Sequence, residues 1–277
     1  MVFVVLIVLV LSQSFGYGSE FVLFAVILSV AINIGSYFYG DQLILAMSGA
    51  KLANRGQNFD FYTVAENLSI ASGLPMPKLY VIEDTAMNAF ATGRDPKHAI
   101  VVATSGILQR LNRRELEGVI AHELSHVKNY DIRLMLMVTV LVGTLAYLSD
   151  WFLRSLWWGR RGSREDRGNG GGIFIIVGIA LANLSPILAT IIKLSISRQR
   201  EYLADASGAL LTRYPEGLAR ALEKLKGDRE ILEAANSATA PLYISNPFHG
   251  KDVGNWLSGL FDTHPPIEER IKRLRSM

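Results

Sequence analysis

The sequence predicts an α-helical integral membrane protein with about four transmembrane helices and a mixed α+β polar domain. Two observations carry that expectation. Half of the 277 residues are hydrophobic and only 19% are charged, for a mean hydropathy of +0.25. The apolar residues also gather into four long runs, each close to the roughly 20 residues that span about 30 Å of hydrocarbon. The same composition excludes a disordered chain, which needs low hydrophobicity and high charge. With no cysteine, a disulfide framework, a thiol nucleophile and Cys-ligated zinc, haem or iron–sulfur sites are excluded too. A net charge of +3 is too mild to point to nucleic acid, and arginines beside apolar runs fit a membrane surface equally well.

The first run opens at Val2 and residues 1–19 carry no charge. They lack the basic start and the A-x-A site of a cleaved signal, so a retained anchor is expected. Phe21 to Gly40 is the second run, Leu134 to Leu153 the third, and Ile173 to Ile192 the fourth, where Pro186 either kinks the helix or is tolerated by packing. The chain then divides into two N-terminal spans (1–40), a polar block (41–133), two further spans (134–192) and a second polar block (193–277). Residues 154–172 form an Arg/Gly-rich loop between the last two spans; no Lys-Ser/Thr follows its glycines, which argues against a phosphate loop. Four spans put both blocks on one side of the membrane, free to pack as one domain. Seven basic residues flank the spans on that side against five on the other, a balance favouring the cytoplasmic face of the cell membrane.

In the first block, Phe61 to Ser72 reads as a helix with Asp60 as N-cap, stopped by Gly73 and Pro75. Lys78–Ile82, Asn88–Thr92 and Ala99–Ala103 read as strands, the last two joined by Gly93-Arg94-Asp95-Pro96. Together they suggest a small antiparallel sheet with a free outer strand. From about Asn112 the period becomes helical, with Leu116, Val119, Ile120, Leu124 and Val127 on one face. The second block reads helical over Ser197–Leu211, Pro215–Lys226 and Pro266–Leu274.

The chemistry lies on the Asn112 helix, in His122-Glu123-Leu124-Ser125-His126. Positions i and i+4 share a helix face, so both imidazoles can reach one metal ion, and Glu123 can take a proton from water there. Two neutral imidazoles and a carboxylate suit zinc with one position left open. A buried helix face with three ionisable groups and no metal would cost several kcal/mol unless they were paired. The third ligand would come from Glu201 or Asp205, four residues apart after the fourth run. Glu201 on the metal with Asp205 holding a ligand imidazole is one division of labour. Spacing alone equally fits a solvated helix of Glu–Arg pairs.

H-E-x-x-H on one helix and E-x-x-x-D on a later one resembles the gluzincin arrangement. The fuller set closely resembles the HtpX family of membrane zinc proteases: Asn88-Ala89-Phe90-Ala91, His122 to Asp131, Arg198 to Asp205, and Thr263-His264-Pro265-Pro266, with two apolar runs before the first block and two between the ligands. The resemblance implies an α+β gluzincin-type protease domain and one zinc ion held by His122, His126 and Glu201, with Glu123 as general base. By the same motif His264 would stabilise the oxyanion, and Arg198 would support Glu201 or Asp205 or else reach to headgroups. Asn88, Ala89 and Phe90 would bind substrate, an extended chain adding to the sheet edge through main-chain hydrogen bonds. Such loose specificity suits degradation of misfolded or damaged membrane proteins, with unfolded proteins and the lipid bilayer as partners and no nucleic acid. Two alternatives compete. A CAAX prenyl-protein protease shares the motifs but uses more spans, and a non-catalytic scaffold or holdase would have no need of an intact Glu123. His98 and His249 have no sequence partners and read as surface or packing residues.

Overall fold

The computed structural model describes residues 20–140, 198–236, 238–248 and 265–277. The first and fourth runs, most of the third, the Arg/Gly-rich loop, Pro186, His249 and His264 therefore lie outside the described residues. The second run falls within one 28-residue helix, α1 (Glu20–Met47), much of whose N-terminal half is described for its backbone alone. Among the described residues no helix is long and apolar enough to cross a membrane. The four-span expectation therefore rests on the sequence.

After α1 come β1 (Lys51–Leu52), α2 (Phe59–Ser72), β2 (Lys78–Ile82), β3 (Ala89–Thr92) and β4 (Ile100–Thr104). Helices α3 (Ser105–Arg110) and α4 (Arg113–Lys128) follow, and residues 131–140 are also helical (α5). The second block gives α6 (Arg198–Thr212), α7 (Pro215–Gly227) and α8 (Ile267–Arg275). Helix α2 begins two residues before the expected start. Asn58 takes the cap position without a side-chain bond, which leaves Asp60 inside the first turn. Gly73, at φ 71°, ends it in the left-handed conformation that glycine adopts without a Cβ penalty.

The sheet departs from the antiparallel expectation. Its order is β1-β2-β4-β3, and β2 runs parallel to β4, with Lys78 opposite Ile100 and Ile82 opposite Thr104. Only the outer pairs, β1 with β2 and β3 with β4, are antiparallel. The reason is how the β3–β4 hairpin docks, with β3 outermost. Its hairpin partner β4 inserts between β3 and β2, and so runs in the direction of β2.

Alternation along the strands divides the core in two. Leu79, Val81, Ala89, Ala91, Val101 and Ala103 face a layer built from α2, α4, α6, α7 and α8. Ile82, Phe90, Ile100 and Val102 face the opposite way, onto Ile44 and Leu45 of α1, Leu136 and Val138 of α5, and Leu242 and Tyr243. The sheet is thus buried on both faces, which is why all five residues of β4 are buried.

Helix α4 is the centre of the first layer. Asn112 and Glu115 close a reciprocal capping box at its start, at 3.0 and 2.9 Å, and Lys224 of α7 holds the same Glu115 at 2.6 Å. A Cβ on Gly118 would lie 2.5 Å from the backbone nitrogen of Leu218, so α4 and α7 touch backbone to backbone there. Gly118→Ala should therefore force the helices apart and cost about 1–3 kcal/mol, the usual range for overpacking. Thermal unfolding of the purified chain measures the loss.

Candidate active site

One face of α4 presents His122 and His126, and α6 crosses it carrying Glu201 and Asp205. The crossing is close because residue 208 is glycine: a Cβ there would sit 3.1 Å from the backbone nitrogen of His122. All four side chains are buried, at 1%, 6%, 1% and 3% relative exposure respectively. The Nε2 atoms of the two histidines are 3.2 Å apart. Carboxylate oxygens of Glu201 lie 3.7 Å from His122 Nε2 and 3.4 Å from His126 Nε2.

These separations fit a metal. Ligand bonds of about 2.0–2.2 Å in a tetrahedral shell put neighbouring ligand atoms roughly 3.3 Å apart. The three groups form a cluster able to hold a metal ion, with ligand atoms all within 4.8 Å of one another. The local field favours a cation as well. Burial alone would depress the pKa of His126, yet the Asp131 hydrogen bond and the Glu201 and Glu123 carboxylates lift it to about 9. Glu123 is itself buried, and burial raises its pKa against the pull of the two imidazoles. The backbone of Ala91, on β3, hydrogen-bonds to its carboxylate.

Each imidazole is held from behind. His122 Nδ1 lies 2.9 Å from Asp205 Oδ1, and His126 Nδ1 lies 3.1 Å from Asp131 Oδ2. These contacts engage Nδ1 of each ring with a carboxylate and aim Nε2 at the shared centre, the orientation in which Nε2 can take a metal. Asp131 stands one residue after Tyr130, whose φ of 60° turns the chain back beneath His126, and Arg200 reaches Asp131 at 3.4 Å.

Asp205 is gripped in turn by Arg270 of α8 through Nε at 2.9 Å and a terminal nitrogen at 2.7 Å. Arg270 is fully buried, 65 residues from Asp205 in sequence. Burial would raise the Asp205 carboxyl, but the guanidinium charge and its hydrogen bonds bring it down to about 2. This is the first of the two places that the sequence allowed Arg198. Arg198 is instead exposed at the first turn of α6, near Glu269 and Tyr202.

The three expected substrate residues take different places. Phe90 packs on the far face of the sheet, its ring 5.0 Å from that of Tyr243, and pairs with Val102 of β4, so it faces away from the site. Asn88 is buried, its amide nitrogen 3.0 Å from the Ser245 carbonyl, and the Ala89 carbonyl accepts the Ile244 N–H at 3.0 Å. Strand β3 is the sheet edge, but its Ala89 position is already covered. The next outward position, Ala91, faces Glu123. His98 is exposed and paired with Asp95 at 2.8 Å.

With that geometry in place, relatives give the arrangement a lineage. The model of peptidase family M48 matches residues 57–277, which include every side chain of the cluster and reach the end of α8. The chain belongs to peptidase family M48. The protease HtpX homolog of Dictyoglomus thermophilum is 48% identical, over 95% of this chain and 84% of that one. That of Tropheryma whipplei (strain Twist) is 48% identical over 94% and 87%. The crystal structure of S. mikatae Ste24p shares the fold, with a TM-score of 0.55 at 22% identity; the match takes in 98% of this chain and 62% of that longer one. Membership of family M48 makes this chain a metalloendopeptidase.

Two outcomes test the supports around the cluster. Asp131→Asn should weaken metal binding by about 10–100-fold, the usual cost of losing such a partner, as read by chelator competition. Arg270→Met strands the Asp205 carboxylate in the interior, and should lower stability by about 3–5 kcal/mol in thermal unfolding.

Proposed function

We propose that this M48 chain is a zinc-dependent endopeptidase of the cell membrane that cleaves unfolded or damaged proteins as quality control. His122, His126 and Glu201 hold the ion and Glu123 is the general base. The observation that carries this reading is the close approach of three buried groups, the two Nε2 atoms 3.2 Å apart and the two Glu201 oxygens 3.4 and 3.7 Å from them, with a buried carboxylate beside them. Zinc suits two imidazoles and one carboxylate, and when bound it supplies Lewis-acid polarisation of the scissile carbonyl. Glu123 takes the proton of the attacking water and passes it to the leaving amine. Asp205 and Asp131 keep the two rings in the tautomer that leaves Nε2 unprotonated. His264, by motif, helps the developing oxyanion.

Substrate is read through its main chain, as an extended segment added along the edge of β3 at Ala91. Ala91 and Glu123 already touch, so a peptide paired there runs past the base. Recognition of this kind demands little side-chain sequence, which suits a protease acting on many unfolded proteins. It also fits poorly with a prenyl-specific enzyme, and a base buried beside the cluster fits poorly with a non-catalytic scaffold.

The membrane reading rests on the four apolar runs and on α1. Leu23, Ile27, Ile34 and Phe38, at 66%, 59%, 55% and 49% exposure, form one apolar stripe along that helix, as a lipid-facing surface would. The two polar blocks together form the protease domain, on the cytoplasmic side.

Two variants test the assignments separately. Glu123→Gln should keep its metal and lose casein cleavage by more than about 100-fold, the scale of general-base catalysis. Glu201→Ala should lower the metal content of the purified protein, and unchanged stoichiometry would remove Glu201 from the ligand set.

A further inference from the structure

The edge of β3 holds a peptide already. Tyr243–Ser245 runs beside it without regular secondary structure, and every main-chain polar group of Ile244 and Ser245 is bound by a residue of the site's wall. Ile244 N–H donates to the Ala89 carbonyl at 3.0 Å, and the Ile244 carbonyl accepts from Arg270 at 3.4 Å. The Asn88 amide takes both groups of Ser245: its nitrogen donates to the carbonyl at 3.0 Å, and its oxygen accepts the N–H at 3.4 Å. That is how a protease edge reads an extended chain, through its backbone and without regard to sequence. The Ile244 side chain, 1% exposed, lies in the same core layer as Ala89 and Ala91. Arg270 meanwhile links this segment to Asp205 and so to His122.

We propose that Tyr243–Ser245 is an autoinhibitory strap, occupying through Ala89, Asn88 and Arg270 the main-chain pairing sites of a protein substrate until that substrate displaces it. The inference rests on substrate pairing with the β3 edge. Displacement exchanges these four hydrogen bonds for those of the substrate and draws the buried Tyr243 and Ile244 side chains out of the core, so only a segment that refills that space competes with the strap. The strap therefore lowers the apparent affinity by the fraction of chains in which it is closed. A folded protein offers no free extended segment, and an unfolded one offers many. The strap thereby adds a threshold that well-folded neighbours do not pass. An opposed possibility is a permanent strap, with substrate paired only from Ala91 onward.

Two experiments on the full-length chain decide. In the Glu123→Gln protein, hydrogen–deuterium exchange is followed with and without saturating unfolded casein. Displacement predicts faster exchange over 242–248 as casein binds, together with slower exchange over 88–93. Slower exchange over 88–93 with 242–248 unchanged or more protected would overturn the strap and leave edge pairing intact. Bound casein with neither segment altered would remove edge pairing itself, and the strap with it. The second experiment uses the absence of native cysteine. Ala89→Cys with Ile244→Cys allows a single disulfide between strap and edge. Its oxidised form should keep its metal yet lose casein cleavage, and reductant should restore it. Equal cleavage in both redox states would overturn the inference. Should the double variant fail to fold, the exchange measurement still decides alone.

Discussion

The structure depends on one close contact, the crossing of α6 over α4 at Gly208. It brings a carboxylate from late in the chain to within 3.7 Å of two imidazoles from its middle, in a buried place. Buried charge costs many kcal/mol unless it is neutralised nearby. Glu123, Glu201, Asp205 and Asp131 are all buried around this crossing, and the fully buried cation among them is Arg270. The imbalance is what lifts His126 toward its protonated form. A divalent cation held by His122, His126 and Glu201 would offset it. The residues proposed for the chemistry are thus buried in a place whose surplus of carboxylates favours a cation.

Around that crossing the fold works as a clamp with several arms. The capping box of α4 fixes where its histidines stand, α7 buttresses its far side at Gly118, and the left-handed Tyr130 returns Asp131 to His126. The last helix contributes the longest reach, since Arg270 ties together Asp205, Ile244 and, through them, His122 and the sheet edge. The C-terminal dozen residues are therefore part of the site. The match to family M48 runs to residue 277, as that dependence requires.

How much of this was legible depended on the range of each interaction. Local signals carried well. Asn112 with Glu115, Gly73, and the period of α4 are set within a turn or two, and the helices of the second block fell within a residue or two of their expected ends. His122 and His126 were legible because four residues is one helical turn. The parallel pairing of β2 with β4 was not, because strand order is decided by which edge a hairpin docks on. Arg270 was missed because nothing in E-E-R-I-K-R separates one buried arginine from its exposed neighbours; only its place one helical turn beyond Pro266 marks it. Asp131 stood in plain view next to the H-E-x-x-H helix, but its use needs Tyr130 at positive φ, which a tyrosine does not advertise. Phe90 was named by the motif alone, which does not say on which face of the sheet its ring lies; the structure puts it opposite the site.

The central claim is that two imidazoles and one carboxylate from separate segments share one ion. X-ray absorption at the metal edge of the purified, unmodified chain tests it most directly. The account predicts one zinc per chain in a four-coordinate shell of light atoms at about 2.0–2.2 Å, with the outer-shell scattering of two imidazole rings. A shell without imidazole scattering, or a fully hydrated ion, would contradict it.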